Sequence, residues 1–281
     1  MEECNFFSGS GYRLFGCLHW PEGSNRRCGV VFCEPFAEEK LWSQRVMVNF
    51  SRLLARRGYT ILRFDFMGHG DSDGDFEDSD VDTRLSDIGK AMEFLKKRAE
   101  VRDVGLLGLR WGATLSAIWC ERNGEADFMI LWEPILDGNA YVQQCLRSSL
   151  ATQMAAYKKV RYTREQMIKD LEKGQAVNVD GYLISGSFFR QASAIDLTRM
   201  AVEFHGPVLI VRFGSGHDIG ANEGINRLCE NYRRTNPNSN LVEVAEKPFW
   251  KDIRLYYQRA GEVFQASLDW LENIGLKDCK G

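Results

Sequence analysis

Histidine is scarce in this sequence, and its cysteines are not clustered. Four histidines occur among 281 residues, and the eight cysteines include no C-x-x-C pair. A zinc site or a disulfide framework requires closer spacing of ligands or cysteines. Gly68, Gly70 and Gly74 are too loosely spaced for a G-x-G-x-x-G loop that opens a helix. The sequence therefore predicts no metal and no cofactor, and reduced cysteines that act mostly as small buried apolar residues.

Long apolar runs and an excess of positive charge are also missing. No run approaches the roughly 20 apolar residues that a membrane-spanning helix needs. Residues 1–11 are acidic and lack the basic start and apolar core of a signal peptide. The 36 basic and 39 acidic residues give a net charge of −3, without the basic footprint of a nucleic-acid-binding protein. We expect a cytoplasmic protein with no membrane span and no nucleic-acid partner; the oligomeric state stays open.

Short apolar runs alternate with amphipathic helical patterns along the chain. Runs such as 28–33, rich in β-branched and aromatic residues, are typical of buried parallel strands. Their alternation with helices predicts an α/β protein with a mostly parallel, doubly wound sheet covered on both faces. The predicted strands cover 12–20, 28–33, 59–64, 103–107, 127–132, 207–213 and 241–245, and the predicted helices lie near 46–54, 81–95, 113–122 and 253–271.

One long stretch breaks this alternation. About seventy residues, roughly half of a typical domain, separate the strands that end at 132 and begin at 207. Helices are predicted over 139–160 and 163–173, the second with a capping box of Thr163 and Gln166, and a short one within 181–189. An insertion at this point covers the crevice where α/β proteins bind ligands. We expect a core of residues 1–136 and 200–281 and a helical cap of residues 137–199.

The turn after the strand at 103–107 has the spacing of a nucleophile elbow. Gly108 and Gly112 frame a middle residue in the pattern G-x-S-x-G, which projects that residue into the active site of α/β enzymes. The middle residue here is Arg110. An arginine stays protonated in proteins and cannot attack a carbonyl group.

Several further motifs carry a resemblance to a known family. They keep their order along the chain and occupy residues 35–40, 68–72, 74–76, 108–110, 131–132 with Pro134, 181–182 and 248–250. With them the chain resembles α/β-hydrolases of the serine aminopeptidase-like lineage, and in particular the second type of exosortase-A-system-associated hydrolases, a bacterial-type group. The resemblance implies an α/β-hydrolase fold, a hydrolase function, and an arginine at the elbow as a family feature.

The other two positions of a catalytic triad can be located by order along the chain. An acid is expected after the strand at 207–213, where Asp218 is well placed. A histidine is expected after the last strand, but residues 246–251, which include Trp250, contain none. The sequence therefore predicts a degenerate triad in which the nucleophile and the histidine are both missing.

Arg110 has two possible roles. Its guanidinium fork suits a carboxylate or phosphate of a ligand. Alternatively it forms an internal ion pair with Asp218, Glu34 or Glu133, which all follow predicted strands. The side chains expected to line a ligand pocket are Glu34, Phe36, Arg110, Trp111, Glu133, Asp218 and Trp250, although the two tryptophans also fit plain core packing.

Other nucleophiles and bases offer weaker candidates. Cys33 lies near the expected oxyanion loop, yet no histidine is placed to activate its thiol. Glu34 and Glu133 could form a paired-carboxylate site, and His217 and Asp218 share one loop, where neighbours in sequence seldom have triad geometry. A non-standard catalytic site would be drawn from these five residues.

Two functional classes and a third, weaker one follow from these residues. In the first, the chain binds an acyl or anionic small molecule in a capped pocket without serine-triad turnover. In the second, it is a hydrolase or acyltransferase that uses Cys33, Glu34, Glu133, His217 and Asp218. The third, a partner-binding protein of an exosortase or polysaccharide system, is implied only by the resemblance.

Overall fold

A central, mostly parallel sheet organises the chain. The computed structural model describes residues 1–214, 219–251 and 260–275. Within these ranges eight strands form one sheet in the order β1-β2-β4-β3-β5-β6-β9-β10, and β7 pairs with β8 in a separate hairpin. The strands are β1 (Glu2–Ser8), β2 (Arg13–His19), β3 (Cys28–Cys33), β4 (Thr60–Phe64), β5 (Asp103–Leu109), β6 (Met129–Trp132), β7 (Val177–Val179), β8 (Tyr182–Ile184), β9 (Val208–Phe213) and β10 (Asn240–Val244).

Helices cover both faces of this sheet. Along β3, Val31 and Cys33 pack with the residues of α2 and α3, while Val30 and Phe32 pack with those of α1 and α8. Such burial on both faces explains why β3 is apolar throughout. The α/β prediction is confirmed. The helices are α1 (Glu38–Arg56), α2 (Val81–Ala99), α3 (Trp111–Asn123), α4 (Gly138–Tyr157), α5 (Arg164–Glu172), α6 (Gly186–Ser193), α7 (Ile219–Thr235) and α8 (Gly261–Asn273), with a 3₁₀ turn at Phe76–Asp78.

The N-terminal edge of the sheet differs from the expectation. Residues 1–11 contain β1, which pairs antiparallel with β2 and was not predicted. Cys4 lies opposite Cys17 in this register, and the two form a disulfide. The prediction of reduced cysteines throughout is therefore wrong at this pair, because antiparallel pairing joins two cysteines that are thirteen residues apart in the sequence. The free cysteines of the described ranges are Cys28, Cys33, Cys120, Cys145 and Cys229.

The segment between β6 and β9 contains α4, α5, the β7–β8 hairpin and α6. Thr163 and Gln166 form the predicted capping box at the start of α5. Part of the predicted helix at 181–189 belongs instead to β8, and α6 begins at Gly186. Asp137 and Asp196 form an isolated antiparallel bridge, so the chain enters and leaves this segment side by side. The division into a core and a cap of residues 137–199 remains a prediction.

Candidate functional site

The turn from β5 into α3 places Arg110 in a strained backbone conformation. Arg110 has φ +55° and ψ −118°, a region that residues with a Cβ rarely adopt. A Cβ on Gly108 would lie 2.4 Å from the backbone of Ala113, and one on Gly112 would lie 2.0 Å from the carbonyl oxygen of Cys33. Both glycines are therefore required for the close packing of strand and helix that forms the elbow.

The side chain of Arg110 is held by an acid and a phenol. Its Nε donates a hydrogen bond to Oε1 of Glu39 at 3.2 Å, and the hydroxyl of Tyr141 donates to Oε2 of the same carboxylate at 3.1 Å. The guanidinium carbon also lies 5.5 Å from the ring centroid of Trp250. Side-chain exposure is only 11 % for Arg110 and 18 % for Glu39. We call Arg110, Glu39 and Tyr141 the elbow cluster.

Burial and the neighbouring charges shift the pKa values of Arg110 and Glu39 in opposite directions. Burial lowers the pKa of Arg110, but the charges of Glu39 and Glu133 outweigh it, so the pKa of the guanidinium is raised. Burial raises the pKa of Glu39, and the neighbouring Arg110 and Tyr141 reduce that effect only in part. Arg110 is therefore a permanent cation, and Glu39 is the one member of the pair that can take up a proton.

Two of the three expected acidic partners of Arg110, Glu34 and Glu133, form other contacts. Glu34 forms ion pairs with Lys40 at 3.3 Å and with Arg63 at 3.6 Å. Oε2 of Glu133 accepts a hydrogen bond from the backbone N–H of Phe213 at 2.7 Å. The prediction of a pair with Glu34 or Glu133 is wrong, since α1 begins just after the strand β3 and points its first turn at the elbow. Asp218 and His217 lie outside the described residues.

Sequence reasoning missed Glu39, although a signal for it existed. Ala37 has φ +52° and ψ −128° directly before α1, and this bend directs the second residue of the helix toward Arg110. Glu38 and Glu39 follow the strand β3 closely, so a carboxylate at the carboxyl edge of the sheet was visible in the sequence. Its distance from the elbow depends on the backbone conformation at Ala37.

Cys33 is not placed for nucleophilic chemistry. The residue is fully buried in β3. Burial raises the pKa of its thiol to about 12. A thiol of this kind remains protonated near neutral pH and is inert, whereas reactive cysteines lie in electropositive and partly exposed surroundings.

A cavity of about 340 Å³ lies beside the elbow cluster. Side chains from α1, from α4 and from the β7–β8 hairpin enclose it. Phe36 and Trp250, both expected at a pocket, line it, whereas Arg110, Glu34 and Glu133 are not among its lining residues. Trp111 is buried and stacks on Tyr141 with a centroid distance of 5.4 Å. The lining residues are Phe36, Ala37, Glu38, Glu39, Trp42, Tyr141, Gln144, Cys145, Ser148, Val179, Asp180, Tyr182, Ile184, Trp250 and Lys251.

The described ranges hold neither a candidate metal site nor a candidate membrane-spanning helix. Among residues 1–214, 219–251 and 260–275, no group of three or more histidine, cysteine or acidic side chains is arranged to hold a metal ion. Within the same ranges, no helix has the length and apolar character that crossing a bilayer requires.

The fold has many relatives among solved structures. Est1E from Butyrivibrio proteoclasticus, with ferulic acid bound, is 20% identical with a TM-score of 0.68, covering 95% of this chain and 98% of that chain. The Pyrococcus furiosus esterase Pf2001 is 17% identical with a TM-score of 0.62, covering 97% of this chain and 91% of that one. A putative hydrolase from Agrobacterium vitis is 15% identical with a TM-score of 0.62, covering 96% and 99%. These likenesses concern the fold.

Family comparison gives a more specific result. No curated protein sequence matches the chain. The family model described as serine aminopeptidase, S33, matches residues 27–206, which include the elbow, the first turn of α1 and the segment between β6 and β9. Because this match spans more than half of the 281 residues, the chain belongs to the serine aminopeptidase S33 family of the α/β-hydrolase fold.

Proposed function

We propose that this chain binds a small molecule with an acyl or aryl group in the cavity beside the elbow cluster, without serine-triad turnover. One observation carries the proposal: Arg110 occupies the elbow in the strained conformation of a nucleophile, with φ +55°. Its guanidinium stays protonated in a protein and has no lone pair for attack on a carbonyl. The position that would attack a substrate therefore carries a cation that is already bound to Glu39.

The position of the triad histidine supports the same proposal. Residues 246–251 follow β10 and contain Phe249 and Trp250, both buried, in place of an imidazole. The Trp250 ring packs against the guanidinium of Arg110. Without a base at this point a hydroxyl remains a weak nucleophile.

The lining of the cavity favours a neutral ligand over an anionic one. Phe36, Trp42, Tyr141, Tyr182 and Trp250 supply aromatic surface. The charged lining consists of three carboxylates, those of Glu38, Glu39 and Asp180, and one cation, Lys251. A free carboxylate or phosphate would be repelled by this excess of negative charge, whereas a neutral ester or amide would bury its acyl group against the aromatic rings.

Calorimetric titration with a matched pair of ligands tests this proposal. Methyl ferulate and ferulate share an aryl-acyl group and differ in charge, and ferulic acid is bound in the related Est1E structure. We expect methyl ferulate to bind and ferulate to bind more weakly. Gln144→Trp should abolish binding because Gln144 lines the cavity, whereas Gln143→Trp, one residue earlier on α4, should not. Equal binding by both variants would contradict the assignment of the cavity.

Ester hydrolysis is the second test. Short-chain nitrophenyl esters should be hydrolysed no faster than in buffer, and a fluorophosphonate probe should label no serine. Arg110→Ser should also be inactive, because no histidine base accompanies the new hydroxyl. Stoichiometric labelling of any serine in the unmodified chain would contradict the proposal.

We also propose that residues 137–199 form a cap over this cavity. Gln144, Cys145 and Ser148 of α4, with Val179 and Asp180 of the hairpin, supply one side of its wall. Hydrogen exchange should be faster at 139–196 than at 103–107, because a cap opens without unfolding the central strands. Uniform protection of both regions would contradict a mobile cap.

We also propose that the chain belongs with the exosortase-A-system-associated hydrolases. Four residues of the motifs shared with exosortase-A-system-associated hydrolases build the site: Phe36, Glu39, Arg110 and Trp250. Their joint location supports that placement, with a partner from an exosortase or polysaccharide system as its weaker extension. The position of the gene relative to exosortase genes tests it. The constellation of Cys33, Glu34 and Glu133 receives no such support. Cys33 is buried and its thiol has a raised pKa, and Glu34 and Glu133 are held by other partners.

A further inference from the structure

The end of α4 and the residues that follow it are exposed to solvent and include apolar side chains. Every residue from 151 to 161 is exposed except Gln153, which is half-buried. Three of the seven exposed large hydrophobic residues in the described ranges lie here: Met154 at 48%, Tyr157 at 51% and Val160 at 39% exposure. We call residues 154–164 the α4 tip. Its three exposed apolar side chains lie within residues 154–160, which distinguishes them from the scattered exposed apolar residues of an ordinary surface.

The α4 tip is also strongly basic. Lys158, Lys159, Arg161 and Arg164 lie in it, and no acidic residue occurs between Met154 and Arg164. The whole chain has a net charge of −3, so this concentration of positive charge runs against the overall balance. The guanidinium carbon of Arg161 lies 3.9 Å from the ring centroid of Tyr157, which joins a cation to an exposed aromatic ring.

Hydrogen bonds fix the shape of the tip. Oε1 of Gln153 accepts from the backbone N–H groups of Arg161 and Tyr162, both at 2.9 Å. Its Nε2 donates to the carbonyl oxygen of Tyr162 at 3.0 Å, and the Tyr162 hydroxyl donates to Asp170 at 2.6 Å. The chain after α4 is therefore tied back to the helix, so that Tyr157 and Val160 are presented at one end.

From these observations we infer that the α4 tip docks on an anionic lipid surface. Exposed aromatic and aliphatic side chains insert into the headgroup region, and flanking lysines and arginines reach the lipid phosphates. Each cation near such a surface strengthens binding roughly fivefold, the equivalent of about 1 kcal/mol. Because these groups are already exposed, they can contact a lipid surface without rearrangement of the rest of the fold.

Docking at this end brings the cavity near the lipid. Ser148 lines the cavity and lies six residues before Met154 on the same helix, a distance of about 9 Å along the axis. A molecule with an acyl group partitions into bilayers, so the docked tip would place the cavity beside a source of such molecules. The docking itself stands independently of the proposed ligand.

Flotation with vesicles tests the inference on the full chain. Vesicles of phosphatidylcholine alone are compared with vesicles that contain about 30 % phosphatidylglycerol. We expect binding to the anionic vesicles only, with a decrease at high salt as the charges are screened. Lys158→Glu with Lys159→Glu should weaken binding at least tenfold, and Tyr157→Ser with Val160→Ser should weaken it while the charge is unchanged.

Lys96→Glu with Lys97→Glu is the matched control, because it makes the same charge reversal on α2. This variant should bind as the unmodified chain does, although it breaks the ion pair of Lys97 with Glu93. Circular dichroism verifies that every variant is folded. The inference is overturned if anionic vesicles bind no protein, or if the two charge reversals weaken binding equally. Failure of methyl ferulate to bind would leave the vesicle result unchanged.

Discussion

Arg110 and Arg84 are both buried, and their charges are compensated in opposite ways. Arg110 stands at the elbow and forms an ion pair with Glu39. Arg84 on α2 is only 1 % exposed, and among the described residues no carboxylate lies within 4.0 Å of its guanidinium. Aromatic rings surround Arg84 instead, with centroids 5.1 to 5.7 Å from its guanidinium carbon: those of Phe36, Phe66, Phe76 and Phe188.

The two surroundings change the guanidinium in different directions. Burial lowers the pKa of Arg84 to about 10, since the nearest acids act on it only at a distance. The pKa of Arg110 is raised, because the charge of Glu39 outweighs burial. One strong partner therefore compensates Arg110, whereas many weak contacts compensate Arg84. The loss of a single side chain should therefore affect the elbow far more than the aromatic cage.

The largest expected effect is that of Glu39→Gln. It leaves the Arg110 cation buried without its carboxylate, and a broken buried ion pair costs about 3–5 kcal/mol in the free energy of unfolding. We expect the lower end of this range, about 3 kcal/mol, because a glutamine still accepts the hydrogen bond from Nε of Arg110. Urea denaturation measures it.

Glu38→Gln is the matched control for this prediction. Glu38 precedes Glu39 in the first turn of α1 and has no cation within 4.0 Å among the described residues. Glu38→Gln removes a favourable interaction with the helix dipole of about 0.3–1 kcal/mol. It also relieves repulsion between Glu38 and Asp180, so the net loss should be small. Equal losses in the two variants would contradict the assignment of Glu39 as the partner of Arg110.

Asp87→Asn is expected to have the next largest effect and tests whether Arg84 relies on a distant acid. Burial raises the pKa of Asp87 from 3.8 to about 6, although Met67 and Tyr12 donate hydrogen bonds to its carboxylate. The folded protein therefore holds this proton more tightly than the unfolded chain. The stability that protonated Asp87 contributes is fully present below pH 3.8 and is lost as the pH rises through about 6.

Because the charged form of Asp87 costs stability, the variant and the unmodified chain should respond differently to pH. An asparagine keeps the acceptor for the backbone N–H of Met67 and carries no charge. The change in unfolding free energy caused by Asp87→Asn should therefore be more favourable at pH 7 than at pH 4, by about 2–3 kcal/mol. Denaturation at both pH values measures it. Asp73→Asn is the control of opposite sign, since hydrogen bonds from Arg13 lower the pKa of Asp73. Destabilisation by Asp87→Asn at pH 7 would show that Arg84 depends on the Asp87 charge.

Much of the elbow could be read from the sequence, and its chemical environment could not. Gly108, Arg110 and Gly112 are spaced for a sharp turn, and the steric contacts of both glycines agree with that pattern. Local spacing fixes such a turn because all of its contacts lie within a few residues of the chain. The ion pair with Glu39 joins residues 71 positions apart and depends on the bend at Ala37.

The same distinction holds for the fold. The apolar run of β3 and the capping box at Thr163 are local signals, and both correspond to the observed elements. β1 alternates buried and exposed residues weakly and lies at the sheet edge, so its pattern resembled a polar terminus. Its disulfide between Cys4 and Cys17 follows from that pairing, which no short motif indicates.

Arg110→Met is expected to have a smaller effect than Glu39→Gln, although it breaks the same pair. A carboxylic acid can become neutral by taking up a proton, and burial already raises the pKa of Glu39. We expect the free energy of unfolding at pH 7 to fall by about 1–2 kcal/mol. This is less than the loss expected when a broken pair leaves a permanent buried charge. With the cation gone, the folded pKa of Glu39 rises further, so the loss should shrink as the pH falls toward 4.5. Thermal unfolding at pH 5 and pH 7 checks this, and a larger loss at pH 5 would contradict it.

The smallest expected effect is that of Arg84→Met. Among the residues that the structure describes, none is a hydrogen-bond partner of Arg84 Nε. The contacts of the guanidinium with His69 and with the carbonyl oxygen of Ser79 are both long, at 3.5 Å. Methionine has a similar length and makes favourable sulfur contacts with aromatic rings. Replacement of a buried charge by an apolar side chain of similar volume is often neutral, so we expect a change within about 1 kcal/mol.

Arg84→Lys separates the role of charge from the role of shape at this position. Lysine keeps the charge but is a compact, strongly hydrated ammonium that cannot present a flat face to four rings. We therefore expect Arg84→Lys to be less stable than Arg84→Met, with the free energy of unfolding measured in urea. The opposite order would mean that the cage requires a cation. A loss in Arg84→Met as large as that in Glu39→Gln would show that the aromatic faces stabilise a buried guanidinium as strongly as a carboxylate does.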